Sequence, residues 1–466
     1  MGDMEPTTTI RSFIEDYIRK QGYTLQYFAD ISGVNAGTLS AIIKGTRPIA
    51  MAQLDLITQG MKLEEGHFYE IYGAECFVES APHWRRLEPF LQRCAELDKL
   101  ECIQRVIQQV TDDRSYISEL FEMAEGMIER GQKNAARMLY ECVAECEKYQ
   151  HSERLALCQY RIFTLSLGQD QHENLRAAVH FEPYINRLDE ERQLDAIKDL
   201  ANTYSALRYW DKLFSLADEL GRKAEFIQSF TKKKVDKVNR VTAYPLFVYR
   251  AYSNLLKASA CEWSGKYREA LDYTQEYAEI INIANPSEED QLYINMFSGW
   301  TEVNTYLYNL MMGNEEVLPA YVSWIEQNEE EFLTALVKIM EAANTYDMNI
   351  NHVLLKFDSK INTISRDIML NKRYNKQIIN DRYTKFLAEL AIYYFRQERY
   401  AEGMQKLINC LNSAININNY RDIIQCVALF ERYRSFASQE IQNLYGSIIK
   451  EAYNYEIKKN YNNTFV

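Results

Sequence analysis

Glycine and proline are scarce in this chain, which has 17 glycines and 8 prolines among 466 residues. Together they make up about 5% of the chain, whereas about 12% is usual. This scarcity disfavours a turn-rich all-β fold and favours long helices. No run approaches the roughly 18 apolar residues of a transmembrane helix, and the first residues have neither the basic nor the apolar segment of a signal peptide. The nine cysteines lack a framework spacing, so we expect reduced thiols in a cytoplasmic protein without a membrane partner.

The short motifs of common catalytic sites are missing as well: the sequence has no GxxxxGK[ST], HExxH or GxSxG. We therefore expect no enzymatic activity and no cofactor. Cys142 and Cys146 lie one helical turn apart with His151 nearby, which could begin a metal site. A structural zinc ion needs four ligands, however, and no second cysteine pair exists. Packing in a core is the favoured interpretation, because free cysteine is among the most buried residue types.

Charge and glycine content divide the chain. The formal net charge is −13, yet residues 10–62 carry six Lys or Arg against four acids, and eight of the 17 glycines lie in the first 73 residues. The division predicts an N-terminal domain over residues 1–70, a connector over 71–90 and a long acidic domain over 91–466. Trp84 in the connector is expected to pack at a domain seam. The net acidity argues against general coating of nucleic acid but allows one small DNA-reading module.

Short helices broken by glycines are predicted in the N-terminal domain. Apolar residues recur with helical spacing from Ile10 to Lys20, and Gly22 ends that helix. Thr24 and Asn35 are good N-caps for a second and a third helix, with Gly33 in the turn between them. The other predicted boundaries are Ile31 and Lys44 for the ends of these helices, Gly45 and Pro48 as the stop after them, and Ala50 to Gly60 for a fourth helix.

The ungapped stretch over residues 23–48 resembles the Xre/Cro-type helix-turn-helix family of DNA-binding proteins. The residues that carry the resemblance are Ala29, Gly33, Val34, Thr38, Leu39, Ser40, Ile42, Gly45, Arg47 and Pro48. The resemblance implies that the third helix enters the major groove of double-stranded operator DNA. The residues implied to contact base edges are Asn35, Ala36, Gly37, Thr38 and Ala41, and Ser40 on the same helix is a further DNA-binding candidate. The residues implied to contact phosphates are Thr24, Gln26, Lys44 and Arg47. An asparagine can pair bidentately with adenine.

The sequence departs from the family at Leu25, where glutamine is common, and at Ala36 and Ala41, where a long polar residue is common. The third helix is therefore poor in hydrogen-bonding side chains. Two interpretations are open. The domain can recognise its DNA sequence through DNA shape and contacts with methyl groups, or it has lost its affinity for DNA.

The long acidic domain contains a weak internal repeat. In its three best copies a small residue lies nine positions before an aromatic residue, and a further core residue lies three positions after it. The three sets are Ala201, Trp210 and Leu213; Ala258, Tyr267 and Ala270; and Ala391, Tyr400 and Gly403, with a looser copy at Ala124, Gly131 and Ala136. Small residues let paired helices approach closely, and the aromatic fills the wedge to the next pair. The spacing resembles the tetratricopeptide (TPR) repeat, which implies an all-α fold: a helix-turn-helix bundle followed by a right-handed α-solenoid.

A TPR groove lined by asparagine and tyrosine suits an extended peptide, because an asparagine amide pairs with both N–H and C=O of a peptide backbone. The candidate peptide-binding residues are Asn202, Asn254, Asn304, Tyr252 and Glu262. Asparagines at an ordinary surface are the alternative. A basic run at Lys232, Lys233, Lys234, Lys237 and Arg240 is either a solvated helix face or a contact with the DNA backbone or another domain.

The layout of the whole chain resembles the RRNPP (Rap, Rgg, NprR, PlcR, PrgX) class of peptide-responsive quorum-sensing regulators of Gram-positive bacteria and their phages. The resemblance implies a cytoplasmic homodimer that acts in transcription regulation, a short linear signalling peptide as ligand of the peptide receptor, and peptide-dependent DNA binding. Two alternatives stay open. One is a protein-interaction adaptor that sequesters or inhibits a partner protein, with a degenerate DNA-binding domain. The other is a response-regulator phosphatase, which rests on analogy with the class alone.

Overall fold

The computed structural model is helical throughout the part of the chain that it describes, and the predicted all-α class is confirmed there. The structure describes residues 9–76, 84–110, 114–150, 152–168, 170–231, 242–363, 376–417 and 419–462. Two compact units divide the chain: unit 1 is Met1–Ala243 and unit 2 is Tyr244–Val466. None of the described helices has the length and apolar character that a membrane span requires.

Unit 1 contains the N-terminal helices and the first helix pairs. Its described helices are α1 (Ile10–Gln21), α2 (Leu25–Ser32), α3 (Ala36–Ile43), α4 (Met51–Gly60), α5 (Tyr69–Glu75), α6 (Trp84–Glu96), α7 (Leu100–Val110), α8 (Ile117–Glu129), α9 (Lys133–Glu147), α10 (Glu153–Ser166), α11 (Gln171–Phe181), α12 (Glu190–Ala206) and α13 (Trp210–Thr231). A 3₁₀ turn over Glu182–Arg187 follows α11 directly.

Unit 2 continues the succession of paired helices. Its described helices are α14 (Leu246–Trp263), α15 (Tyr267–Ile280), α16 (Glu288–Met311), α17 (Leu318–Gln327), α18 (Phe332–Tyr346), α19 (Asn351–Lys356), α20 (Lys376–Arg396), α21 (Tyr400–Asn416), α22 (Tyr420–Tyr433) and α23 (Gln439–Asn462).

The four helices predicted at the N-terminus are confirmed, with boundaries within one residue of those expected. Thr24 Oγ1 accepts a hydrogen bond from the Tyr27 backbone N–H at 3.2 Å at the start of α2. Gly22 and Gly33 end α1 and α2 in the left-handed conformation, with φ of 66° and 72°. A side chain there would strain the backbone, so these two glycines set the ends of the helices.

One hydrophobic core runs from Ile10 in α1 to Cys158 in α10. The N-terminal helices are therefore packed onto the pairs that follow them. Asp55 in α4 accepts hydrogen bonds from the Tyr69 hydroxyl at 2.8 Å and from Arg93 Nε of α6 at 3.0 Å. Burial, and then the bond to Asp55, raises the pKa of Tyr69, so its hydroxyl remains a donor. These contacts anchor α4 to α5 and α6.

In helix pairs of both units the repeat residues occupy the same positions relative to the turn between the two helices, as the repeat predicts. We call this shared placement the hairpin register. Each repeat aromatic is the first residue of the second helix of its pair: Trp210 opens α13, Tyr267 opens α15 and Tyr400 opens α21. The small residues nine positions earlier, Ala201, Ala258 and Ala391, are completely buried. The looser copy has the same register, because Ala124 lies nine positions before the first residue of α9.

In all four of these hairpins, the residue two positions before the second helix has a left-handed backbone conformation, with a positive φ. It is glycine at two positions, Gly131 and Gly265, but a charged residue at the other two, Arg208 with φ of 62° and Glu398 with φ of 59°. Residues with a Cβ atom are strained in this region by roughly 1–2 kcal/mol. The shared turn is thus imposed by the packing of the pair and not by glycine alone.

Aromatic residues fill the seams between neighbouring elements. Tyr400 stacks on Phe436, with ring centroids 3.8 Å apart and planes 12° apart. Phe436 follows α22 in the next pair, so the predicted wedge is present at this copy. In the predicted connector, Trp84 opens α6 and stacks on Tyr116 at 6.2 Å, just before α8. The residues between Cys76 and Trp84, with Pro82, lie outside the described part of the chain.

Gly403 provides a direct test of the close approach that the repeat requires. A Cβ atom at Gly403 would lie 2.5 Å from the Phe395 ring, and that ring is buried and stacked on Tyr433 at 4.3 Å. We expect Gly403→Ala to destabilise unit 2 by about 1–2 kcal/mol, because overpacking outweighs the gain in helix propensity. Urea unfolding followed by circular dichroism measures the change.

Gly299 is the matched control for that substitution. It is exposed in the interior of α16, and nothing lies within 4 Å of the position of its missing Cβ atom. Gly299→Ala should therefore raise the free energy of unfolding by up to about 1 kcal/mol. Equal effects of the two substitutions would contradict the close packing at Gly403.

Candidate nucleic-acid interface and peptide-binding site

Asn35 determines where α3 begins. Its Oδ1 accepts hydrogen bonds from the backbone N–H groups of Gly37 at 2.9 Å and Thr38 at 3.3 Å. A bidentate contact with adenine would need this same oxygen as an acceptor. The cap and the expected base contact therefore compete for one atom, and Nδ2 is the group of Asn35 that a base can still engage without breaking the cap.

The two sides of α3 have different roles. Leu39 and Ile42 are completely buried and fix the helix to the core. On the other side Asn35 and Gly37 are exposed, while the remaining candidates are half-buried. These half-buried candidates are Ala36, Thr38, Ser40 and Ala41. The outward side of α3 thus carries few hydrogen-bonding groups.

Cations surround the turn that follows α3. Lys44 and Arg47 are exposed, and Arg47 Nη1 donates to Thr38 Oγ1 at 3.4 Å. Arg11 of α1 places Nη1 3.0 Å from the position of a Cβ atom at Gly45, and its buried Nε has no hydrogen-bond partner among the described residues. Arg11 was not predicted, because it lies 34 positions before the turn and no local pattern connects the two.

Thr24 and Gln26, the other predicted phosphate contacts, are exposed at the start of α2. Thr24 already caps the helix, and Gln26 Nε2 donates to Asp30 Oδ1 at 3.0 Å. Tyr27 on the same helix is 51% exposed. The predicted DNA-binding residues therefore share the surface formed by α2, α3 and the turn after α3, with Arg11 beside it.

The five predicted peptide-binding residues are divided between the two units. Asn202 lies on α12 in unit 1, whereas the other four are in unit 2. Asn254 is buried, Tyr252 packs beside the core around Phe247, and Asn304 Nδ2 donates to the Tyr277 hydroxyl at 3.1 Å. Asn254, Tyr252 and Asn304 therefore contribute to helix packing within unit 2.

Glu262 belongs to a chain of ion pairs that crosses three helices of unit 2. Glu262 of α14 lies 2.8 Å from Lys338 Nζ of α18, which is also 3.4 Å from Glu341. Glu341 in turn pairs with Lys385 of α20. We call Glu262, Lys338, Glu341 and Lys385 the ion-pair chain. Burial alone would lower the pKa of Lys338, but the two carboxylates raise it above its usual value, so the ammonium stays charged.

Asn344 and Glu389 extend the ion-pair chain along α18 and α20. Asn344 Nδ2 donates to Glu389 Oε2 and to its backbone carbonyl, both at 2.8 Å. Asn344 Oδ1 is buried and has no hydrogen-bond partner among the described residues. Burial raises the pKa of Glu389. Sequence reasoning missed both residues, because single polar residues in long helices usually face solvent.

Glu389 makes the stability of unit 2 depend on pH. Its pKa is raised in the folded state, so the unfolded chain releases this proton first and stability decreases as pH rises from the ordinary glutamate pKa through the raised one. Glu389→Gln should therefore stabilise unit 2 at pH 7. It should also remove the contribution of Glu389 to the pH dependence of the free energy of unfolding. Urea unfolding between pH 4 and pH 8 tests this. A stability difference between Glu389→Gln and wild type that does not grow as pH rises, or a variant that is less stable than wild type at pH 7, would contradict it.

Two sequence-based predictions concern residues at or near the limits of the described chain. Cys142 is buried in α9 and Cys146 is half-buried beside the same core, while His151 lies outside the described residues. Among the residues with a described position, no group of three or more His, Cys, Asp or Glu is placed to hold a metal ion. The basic run from Lys232 to Arg240 also lies outside the described part of the chain.

Comparisons with known proteins give only distant likenesses. No protein-family model matches the sequence, and no curated protein matches it. Among solved structures, Bacillus thuringiensis PlcR in complex with the peptide PapR7 and DNA is 14% identical, with a TM-score of 0.25 over 73% of this chain and 96% of that one. A circular tandem repeat protein is 11% identical, with a TM-score of 0.20 over 95% of this chain and 99% of that one. At these TM-scores neither likeness bears on function.

Proposed function

We propose that this protein is a cytoplasmic, homodimeric transcriptional regulator that binds a specific DNA site and is switched by a short linear signalling peptide. The observation that carries the proposal is the surface formed by α2, α3 and the following turn. Two capped helices meet at a left-handed glycine there, and Lys44, Arg47 and Arg11 gather at the turn after α3. Phosphate contacts of this kind hold a helix in register on the duplex.

The bases would be read with few hydrogen bonds. Asn35 Nδ2 and Thr38 are the polar groups at the start of α3, and Ala36 and Ala41 offer only methyl groups. Apolar contacts with thymine methyl groups and the local shape of the DNA would supply the remaining specificity.

We place the peptide on unit 2, along the ion-pair chain and Asn344. An extended peptide carries N–H donors along its backbone, and Asn344 Oδ1 is a buried acceptor without a described partner. A peptide N–H would reach this oxygen in a conformation in which α18 and α20 have moved apart. The half-buried charges beside it can receive charged groups of the peptide. A peptide that binds one conformation of the helix pairs better than another would shift the population between them, and DNA binding would follow that shift.

Retention of a peptide by the purified full-length protein tests this placement. The protein is incubated with peptide extract from spent culture medium, washed and analysed by mass spectrometry. We expect wild type to retain one short peptide and Asn344→Ala to retain at least about ten-fold less, as expected when a buried hydrogen bond is lost. Asn309→Ala is the control, because among the described residues Asn309 Nδ2 donates to its own helix alone, at Thr305 O.

A thermal melt of each variant separates loss of binding from loss of folding, and Asn344→Gln keeps an amide at the position. Peptide retention that is equal in wild type and a folded Asn344→Ala variant would contradict the placement. Failure of wild type to retain any peptide would contradict the peptide switch itself.

The second candidate is an adaptor that sequesters or inhibits a partner protein. The cap at Asn35 favours it, because the oxygen that would read adenine already holds two backbone N–H groups. Sequence-specific capture of DNA by the full chain would exclude a degenerate DNA-binding domain.

A further inference from the structure

The outward side of α11 and of the 3₁₀ turn after it forms an open groove of about 620 Å³ in unit 1. Four apolar or aromatic residues line the groove, and they are Leu175, Val179, Pro183 and Tyr184. The other lining residues are two histidines and two arginines, His172, His180, Arg176 and Arg187. The inward side of the same segment is buried, at Asn174, Ala178, Phe181 and Ile185. We call the lining residues the α11 face.

The spacing of the α11 face is that of a helix-docking surface. Its members recur at intervals of three and four residues over 16 positions, which places them in one stripe. Val179 at the centre is 55% exposed. Arg176 is 78% exposed and pairs with Glu173 only at the surface, and the Arg187 guanidinium lies 5.1 Å from the Tyr184 ring. An apolar centre with basic flanks fits an amphipathic helix with acidic flanks.

The first half of α16 in unit 2 has the complementary character. Leu292 is 67% exposed and Met296, one turn later, is 40% exposed. Glu288 and Glu289 precede Leu292 by four and three positions, so both acids flank it on the same side of the helix.

We propose that the α11 face of one copy of this chain binds the first half of α16 of a second copy. Opposite charges match across the contact, with Arg176 and Arg187 facing Glu288 and Glu289, and both sides supply large apolar residues that the single chain leaves exposed. Two copies that exchange this contact reciprocally close into a dimer. The inference specifies the surfaces of the homodimer and so depends on that part of the proposed function, but not on the peptide or the DNA.

Charge exchange tests the contact with the full-length protein. Sedimentation velocity over a concentration series measures the dimer dissociation constant for wild type, for Arg176→Glu with Arg187→Glu, and for Glu288→Arg with Glu289→Arg. We expect each double variant to weaken the dimer by at least about ten-fold, because like charges then meet. An equimolar mixture of the two double variants should recover association, because opposite charges meet again across the contact. Arg222→Glu, a reversal at a 72% exposed position of α13, should change nothing.

A disulfide cross-link provides the second measurement. Copies carrying Val179→Cys are mixed with differently tagged copies carrying Leu292→Cys under mild oxidation. The mixed cross-link should form faster than either cross-link between identical copies, since the native cysteines are buried except for the half-buried Cys146.

Three results would overturn the inference. A chain that stays monomeric at 100 µM would leave the α11 face to an acidic segment of another protein. A dimer that neither double variant weakens would form through other surfaces, and the homodimer of the proposed function would survive. A dimer that both double variants weaken, and that their mixture does not restore, would show that the charge changes act on association in general and not at this contact. Capture of DNA is measured separately, so these failures are distinguishable from failure of the regulator.

Discussion

Replacing Lys44 and Arg47 by alanine is expected to abolish specific capture of DNA at physiological salt while the protein stays folded. Both side chains are exposed at the turn after α3, and neither contributes to the buried core. Each phosphate contact releases condensed counterions, so its loss reduces the slope of log K against log salt by about 0.9. The double variant should therefore lower that slope by about 2, which fluorescence anisotropy over 50–300 mM salt measures.

Arg19→Ala with Lys20→Ala is the matched control for this prediction. These two cations are also exposed, but they lie in the last turn of α1, where Arg19 pairs with Asp16. They change the net charge of the N-terminal helices by the same amount. The control should leave the salt slope within about 0.5 of wild type. Equal losses in both variants would mean that net charge, and not the turn after α3, attracts DNA.

The second large effect is expected at Lys338. Lys338→Met keeps the length of the side chain but leaves the carboxylates of Glu262 and Glu341 without their shared cation. These groups are only 22%, 19% and 16% exposed, so water compensates little. Breaking a buried pair by removing one partner costs about 3–5 kcal/mol, and for this partly buried site we expect about 2–4 kcal/mol of lost stability in unit 2. Urea unfolding at pH 7 measures it.

Lys356→Met is the control, because Lys356 pairs with Glu326 at a similar distance of 2.9 Å but both groups are about 45% exposed. Its loss should cost less than about 1 kcal/mol. Lys338→Met combined with Glu262→Gln and Glu341→Gln should recover most of the lost stability, since no buried charge is then left alone. A loss at Lys338 no greater than at Lys356, or no recovery in the triple variant, would show that the ion-pair chain is not a structural element of unit 2.

Local features of the fold could be predicted from the sequence because a few neighbouring residues determine them. Thr24 and Asn35 cap helices whatever the rest of the chain does, and Gly22 and Gly33 permit a backbone conformation that other residues resist. The hairpin register was predictable for a similar reason, because Ala391 and Tyr400 are only nine positions apart.

Features that depend on distant residues could not be predicted. The ion-pair chain joins Glu262 to Lys385 across three helices, and Arg11 reaches the turn at Gly45 through the packing of α1. Arg208 and Glu398 take a left-handed conformation that the sequence pattern assigns to glycine, because the packing of the pair imposes it. The capping role of Asn35 was predictable, but its consequence for base recognition became visible only with the geometry of the cap.

The most direct test of the central claim is capture of genomic DNA fragments by the purified full-length protein at physiological salt, with and without peptide extract from spent culture medium. We expect enrichment of a two-fold-symmetric site whose yield changes when extract is added. A folded protein that enriches no site in either condition would contradict the regulator and favour the adaptor. Enrichment that is indifferent to extract would contradict the peptide switch.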